Sequence, residues 1–382
     1  LIFYFSQKQG GIMSFTAFRN TRHHLVSSLF TGLLLLISTH SEAAKTDTVV
    51  MSFATVGDSR AEPSDTLNGQ DQIWLQNTKA LSRIMREVLQ QKPQAFFFNG
   101  DMIYGYHADD ATLNRQYAYW RGMMATMMEA GTYVVPVPGN HEVQEKIVED
   151  GKAKKIALVH KENAWRDNMG DLIMDTQRWK SLTGGDIQAF DKTHAPMLGG
   201  ADNIQSDQSQ LSYSFDYGNS HFVVINTDPV GNDGHAPTNW LREDMQKAQV
   251  RGMQHQFVFG HKVAFTYFYK PKMGLEGLDK DADAQAKFWQ VIEQAGATYF
   301  CGHEHIFNIS QPTKTSGGKS WQVMVGSGGS PFSAKPSEGH NPTDRMYAWA
   351  VVRVYASGKV HLDSYGFDEF YGKTRLLRSI NL

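Results

Sequence analysis

A largely apolar, β-branched run from Val49 to Val56 stops at Gly57-Asp58, and the stretch from Gln72 to Gln91 then carries Ile73, Leu81, Ile84, Met85 and Val88 at helical spacing. This predicts strand, loop, helix. The unit recurs. Ala95 to Phe98 ends at Asn99-Gly100-Asp101, a helical pattern covers about residues 111 to 130, and Tyr133 to Val137 ends at Gly139-Asn140-His141. Alternating βα units predict a sheet with parallel strands. From Val143 to about Gln210 the pattern loosens into charged and Gly-containing sequence, with one helix expected near Leu172 to Leu182, and reads as an insertion. Strand patterns return at Leu211 to Tyr217, His221 to Asn226, Gln256 to Phe259 and Thr298 to Phe300, with helices near residues 239 to 249 and 283 to 295. Trp321 to Val325 leads into Gly326-Ser327-Gly328-Gly329, and strands Tyr347 to Tyr355 and Val360 to Tyr365 flank Ser357-Gly358 as a closing β-hairpin.

The N-terminus is set apart from this pattern. After Met13, the basic Arg19 and Arg22 precede the apolar stretch Leu25 to Ile37, and Ser41-Glu42-Ala43 resembles a small-x-small cleavage site. Residues 1 to 44 are therefore read as an N-terminal extension and signal peptide, and 45 to 382 as the folded domain, with the insertion at about 143 to 210. The alternative, an N-terminal membrane anchor, meets a run shorter than the ~20 residues that span a bilayer. Localisation is thus expected to be secreted or periplasmic.

With 37 basic and 39 acidic side chains among 382 residues, the chain carries a formal −2, which excludes a polybasic nucleic-acid binder. Its one cysteine, Cys301, forms no internal disulfide and no Cys-rich zinc site; before Gly302-His303 it reads as a small buried hydrophobe.

Five short segments each follow an apolar strand: Gly57-Asp58, Gly100-Asp101, Gly139-Asn140-His141-Glu142, Gly260-His261 and Gly302-His303-Glu304-His305. Ligands of open α/β sheets collect at the carboxyl ends of strands, where the preceding glycine lets backbones approach. Two carboxylates, one amide and three imidazoles make a mixed O/N donor set suited to Fe, Mn or Zn, and too large for one tetrahedral centre. Two metals sharing a carboxylate are the natural reading, the arrangement that clamps both oxygens of a phosphoryl displacement.

In order, these motifs resemble those of the calcineurin-like metallophosphoesterases, from Asp58 to His305. The resemblance implies a four-layer α/β/β/α sandwich with a dinuclear metal site at the strand ends. It departs at the first motif, where Asp58-Ser59-Arg60 stands in place of Asp-x-His and a guanidinium cannot bind a cation. Tyr104, three residues after Asp101, is similar to the tyrosine of the purple acid phosphatase branch, the closest in its motifs. That branch implies one ion at Asp58, Asp101, Tyr104 and His305 and a second at Asp101, Asn140, His261 and His303, with Asp101 bridging, and two metals in all: Fe(III) with Fe, Zn or Mn. A metal-bound hydroxide is then the expected nucleophile, with His141 giving a proton or a hydrogen bond to the phosphate. Arg60 reads either as a clamp on that phosphate or as an ion pair with Glu62 or Asp65 that fixes the loop. Glu142 and Glu304 read as orienting imidazoles or facing solvent.

The resulting expectation is a secreted, metal-dependent phosphomonoesterase acting on a phosphorylated small molecule, with no nucleic-acid partner and no membrane span in the mature chain. A phosphodiesterase or nucleotide pyrophosphatase with the same ions is the near alternative, and a non-catalytic metal-binding module is the alternative from another class.

Overall fold

The strand Ala95–Asn99 sets the layering by simple alternation. In the computed structural model, which describes residues 47–64, 70–71, 75–268, 274–335 and 341–382, Phe97 turns one way and stacks on Phe259 with ring centroids 3.8 Å apart. Phe98 turns the other way, onto Trp120 of the helix Asp110–Glu129 at 5.2 Å. The first direction leads to a second sheet and the other to a helical layer. Phe53 extends the inter-sheet layer with edge contacts to Phe222, Phe257, Phe259 and Phe300.

The first sheet runs in the order Arg375–Asn381, Val360–Asp368, Met346–Tyr355, Val49–Val56, Ala95–Asn99 and Tyr133–Val137. The second runs Phe307–Ser310, Trp321–Val325, Thr298–Cys301, His255–Phe259, Ser220–Val224 and Tyr213–Tyr217. Both are mixed rather than wholly parallel. Each has a parallel centre and antiparallel edges. Helices Thr78–Gln90 and Asp110–Glu129 bury Leu81, Ile84, Trp120 and Met124 on the first sheet's side. On the second, Thr238–Val250 and Ala282–Ala295 bury Leu241, Met245, Phe288 and Ile292 with Val223, Val258 and Tyr299. The result is a four-layer α/β/β/α sandwich, as the motifs imply. Contacts gather Asp47–Leu382 into one compact unit; the expected signal peptide lies outside the described residues. Among the described residues no helix is long and apolar enough to cross a membrane.

Three expectations change in detail. The first helix begins at Thr78 rather than Gln72, because Gln76–Asn77 pairs with Gln70–Asp71 and Asn77 caps the helix through Ala80 N at 3.1 Å. The stretch after Val143 is more ordered than its pattern suggests: Gln144–Glu149 and Lys152–Ala157 form a hairpin around Asp150-Gly151, both with positive φ, before helices Val159–Met169 and Thr176–Thr183. The closing hairpin gains a third strand, Arg375–Asn381. Trp120 and Trp165 are fully buried in the core.

Charge, as well as packing, ties the helix Thr238–Val250 to the second sheet. His221 lies between Asp216 at 2.6 Å and Asp244 at 2.9 Å, Asp244 also accepts from Ser214 at 2.9 Å and His194 at 3.0 Å, and Arg251 donates twice to Asp216. Burial opposes a charge on His221, but the two carboxylates raise its pKa above the ordinary value, while the histidines hold Asp244 far below its own in spite of burial. The carboxylate contribution is present above the usual Asp pKa of about 3.9 and is lost as pH falls; that of His221 is complete below about 6.5 and is lost as pH rises through its raised value. A His221→Gln variant is therefore expected to lose about 3 kcal/mol at pH 5.5, since a buried ion pair is broken, and clearly less at pH 9.5. Urea unfolding at both pH values checks this, and an equal loss would refute the charged network.

Candidate metal centre

Because the central strands of each sheet are parallel, their C-terminal ends lie at one edge. The first sheet brings Asp58, Asp101 and Asn140 there, the second His261, His303 and His305. The loops interlock closely: Gly57 N donates to Val325 O, Asp58 N to Gly100 O and Gly302 N to His261 O. At Gly302 a Cβ would lie 2.1 Å from Asp58 Oδ2, so only glycine admits the carboxylate. Asp58, Asp101 and His303 all have φ between 52° and 68°, a left-handed strain of the kind held at functional sites. The Gly326–Gly329 loop borders Asp58, with Gly328 N on Gly57 O and Ser330 N on Asp58 O.

Two groups of donors share Asp101. In the first, one atom each of Asp58, Asp101 and His305 lie within 4.8 Å of one another. In the second, His261 Nε2 is 3.1 Å from Asp101 Oδ1 and 3.0 Å from Asn140 Oδ1, and His303 Nδ1 is 3.0 Å from Asn140 Oδ1 and 3.2 Å from His261 Nε2. Backbone carbonyls orient the imidazoles. His261 Nδ1 donates to Asn99 O at 2.8 Å, His305 Nδ1 to Pro331 O at 2.6 Å and His141 Nδ1 to Tyr104 O, which leaves each Nε2 turned toward the acids.

These side chains suit cations. Burial, with Asp101 adding, pushes Asp58 well above the carboxylate range; Asp101, against its own burial, is held well below it by His141, His261 and Arg60. Although buried, His261 is raised to about 10 by Asp101 and Asp58, whereas burial and the neighbouring His261 lower His303. One proton on His261 thus faces two carboxylates, an amide oxygen and a second imidazole, a donor set that a hard or borderline cation satisfies.

Arg60 rests on this group. Its Nε lies 3.5 Å from Asp101 Oδ2, its Nη2 3.5 Å from His305 Nε2, and its Nη1 donates to Glu62 at 3.0 Å. His141 Nε2 is 3.7 Å from Asp101 Oδ2, and burial and Arg60 lower its pKa. Both residues line the cavity over the donors, together with Asp101, Asn140 and His303. Tyr104 is placed differently: burial raises its pKa, and the charges that act on its hydroxyl are Glu62, Arg60 and Glu145. Tyr106, unremarked in the sequence, lines the cavity, and its hydroxyl accepts from Asn140 Nδ2 at 2.6 Å.

Glu142 and Glu304 are buried and accept from backbone N–H groups. The buried Glu142 accepts from the backbone N–H groups of Asp101, Met102, Ile103 and Gly139 at 2.7 to 3.1 Å, and burial with the nearby Asp101 pushes its pKa up to about 7. Glu304 accepts from Tyr267 and Phe268 N–H. Cys301 is buried, and burial raises its thiol pKa well above the usual value. His107 is exposed beside Glu145 and His235 pairs with Asp281, so neither lines the cavity over the donors.

Comparison with known proteins gives a likeness of fold and a family. Among solved structures, purple acid phosphatase PPD1 from yellow lupin (Lupinus luteus) seeds has a TM-score of 0.54 at 14% identity, over 87% of this chain and 53% of that one. A dimetal phosphatase from Danio rerio has a TM-score of 0.43 at 11% identity, over 87% and 99% of the two chains, and PhoD 0.45 at 14%, over 87% and 72%. The lupin likeness is one of fold, and the chain spans about half of that enzyme's length. No curated protein sequence matches the chain. Residues 51–307, about two thirds of the chain, match the model of the calcineurin-like phosphoesterase domain, and the chain belongs to that family.

Proposed function

We propose that this metal-dependent phosphoesterase is a secreted phosphomonoesterase with two ions, Fe(III) with Fe, Zn or Mn, one held by Asp58, Asp101 and His305 and the other by Asp101, Asn140, His261 and His303. The observation that carries the reading is the sharing of Asp101 between both donor groups. When bound, such ions lower the pKa of water and screen phosphate charge. The remaining work falls to the chain. Arg60, anchored on Glu62, presents guanidinium N–H groups to a phosphate oxygen in the cavity. His141, its Nδ1 fixed on Tyr104 O, keeps Nε2 for a proton or hydrogen bond to the leaving oxygen. Tyr106 holds the Asn140 amide so that Oδ1 faces the histidines.

Mature protein loaded with iron, zinc or manganese is expected to hydrolyse p-nitrophenyl phosphate faster than bis(p-nitrophenyl) phosphate. The reverse preference would make it a phosphodiesterase, and no turnover of either by folded, metal-loaded protein would sink the enzymatic reading. By resemblance, Tyr104 supplies a phenolate to the first ion. Loss of a visible absorption band from iron-loaded protein in Tyr104→Phe assigns that role, and an unchanged band removes it. In Tyr106→Phe the loosened Asn140 amide is expected to cost about 10- to 100-fold in metal affinity or activity.

A further inference from the structure

The hairpin beside the metal donors places two lysines directly opposite each other. Lys146 pairs with Lys155 across the strands Gln144–Glu149 and Lys152–Ala157, and both line the cavity that holds Arg60, Asp101, Asn140 and His303. Like charges facing each other across a hairpin destabilise it. The arrangement becomes favourable once an anion lies between them.

The surroundings leave these charges directed at the cavity. Lys146 Nζ stands 4.5 Å from the centroid of Tyr106, the ring whose hydroxyl holds Asn140. Among the described residues Lys146 has no carboxylate within ion-pair distance, while Lys155 pairs with Glu276 at 3.2 Å at the surface. Burial lowers the pKa of Lys146; the nearby Glu62 and Glu145 act against this, and Lys155 and Arg60 lower it further. A buried ammonium anchors the hairpin itself: Lys161 donates to Glu145 at 2.9 Å and to Gly105 O at 2.7 Å, in the same loop as Tyr104 and Tyr106. Beyond Lys155 a second cavity continues, lined by Asn140, His303, Lys154, Lys262 and Lys280 together with the acidic Asp233 and Glu276, and Lys262 pairs with Asp228. The space beside the scissile position thus extends past the metal donors, with Lys146 and Lys155 on the hairpin side of it.

We propose that Lys146 and Lys155 grip a second phosphate of the substrate, so that the preferred substrates are small organic molecules carrying two phosphoryl groups. The inference rests on the phosphoesterase reading above and adds the class of substrate. The second group is either joined to the first as a diphosphate or separated from it by a carbon skeleton, and the charge recognised is the same. Glu276 yields Lys155 to the incoming anion, an exchange between two solvent-reachable partners.

The test compares matched substrates: fructose 6-phosphate with fructose 1,6-bisphosphate, and AMP with ADP, using metal-loaded wild type and the Lys146→Met, Lys155→Met double variant. Wild type is expected to favour at least one two-phosphate member by more than about tenfold in kcat/KM. The double variant loses about 30-fold or more on that member through KM, and less than about threefold on p-nitrophenyl phosphate, the scale of one or two charge-assisted hydrogen bonds. The melting temperature of the double variant should equal or exceed that of wild type, because a like-charge contact is gone; a Lys146→Arg, Lys155→Arg protein should keep the preference. Equal losses on one- and two-phosphate substrates would place the lysines on the scissile phosphate and overturn the inference, as would a wild type that prefers neither two-phosphate member. Wild type that turns over p-nitrophenyl phosphate without such a preference fails this inference alone, whereas wild type inert toward every ester fails the parent reading.

Discussion

An Asp101→Asn protein is expected to bind no more than one equivalent of metal and to lose more than about 10³-fold in kcat/KM. Single stabilising groups at a reacting phosphate or acyl centre are worth about 10² to 10³, and Asp101 serves both donor groups at once. The amide removes a negative charge and presents an NH2 group where a lone pair is needed. It also strips His261 of the carboxylate that holds its pKa near 10. Metal analysis beside circular dichroism separates this from misfolding. Two retained equivalents with activity within tenfold of wild type would remove Asp101 from the centre.

The second large effect is on stability. Glu142→Ala leaves the N–H groups of Asp101, Met102, Ile103 and Gly139 without their shared acceptor, each in a fully or nearly buried loop. One unsatisfied buried donor costs about 1 to 3 kcal/mol; with some relaxation the total is expected near 3 to 5 kcal/mol. Glu142→Gln should lose about half of that, since one oxygen still serves one pair of N–H groups. Denaturant unfolding of the metal-free proteins is the measurement, and a Glu142→Ala loss below about 1 kcal/mol would show that the loop holds its left-handed Asp101 by other means.

The gathering of the candidate donors at one edge was legible because chemistry and architecture coincide in the sequence: each Gly-Asp, Gly-Asn-His or Gly-His segment follows an apolar strand. The parts that orient them were not. The acceptors for His141, His261 and His305 are carbonyls of Tyr104, Asn99 and Pro331, and a backbone carbonyl leaves no trace in residue identity. Tyr104 and Tyr106 lie two residues apart in one loop, and only the fold decides which phenol meets Asn140. The hairpin after Val143 hid because each of its strands buries a single residue, Gln144 or Ala157, at its end, so no alternation of apolar and polar residues forms. Its turn, Asp150-Gly151, was the available signal. The same lack of alternation conceals the edge strand Arg375–Asn381.

The donors also bear on the sandwich as a mechanical object. Asp58, Asp101 and Asn140 come from one sheet, and His261, His303 and His305 from the other. Between them the sheets meet through phenylalanine rings, Phe97 stacking on Phe222 and Phe259. At the donor edge, ions held by both sets would act as rivets. Metal supply would then set how firmly the seam is held: a ligand at 100 times its Kd adds about 2.7 kcal/mol to the folded state, and a chelator would withdraw it.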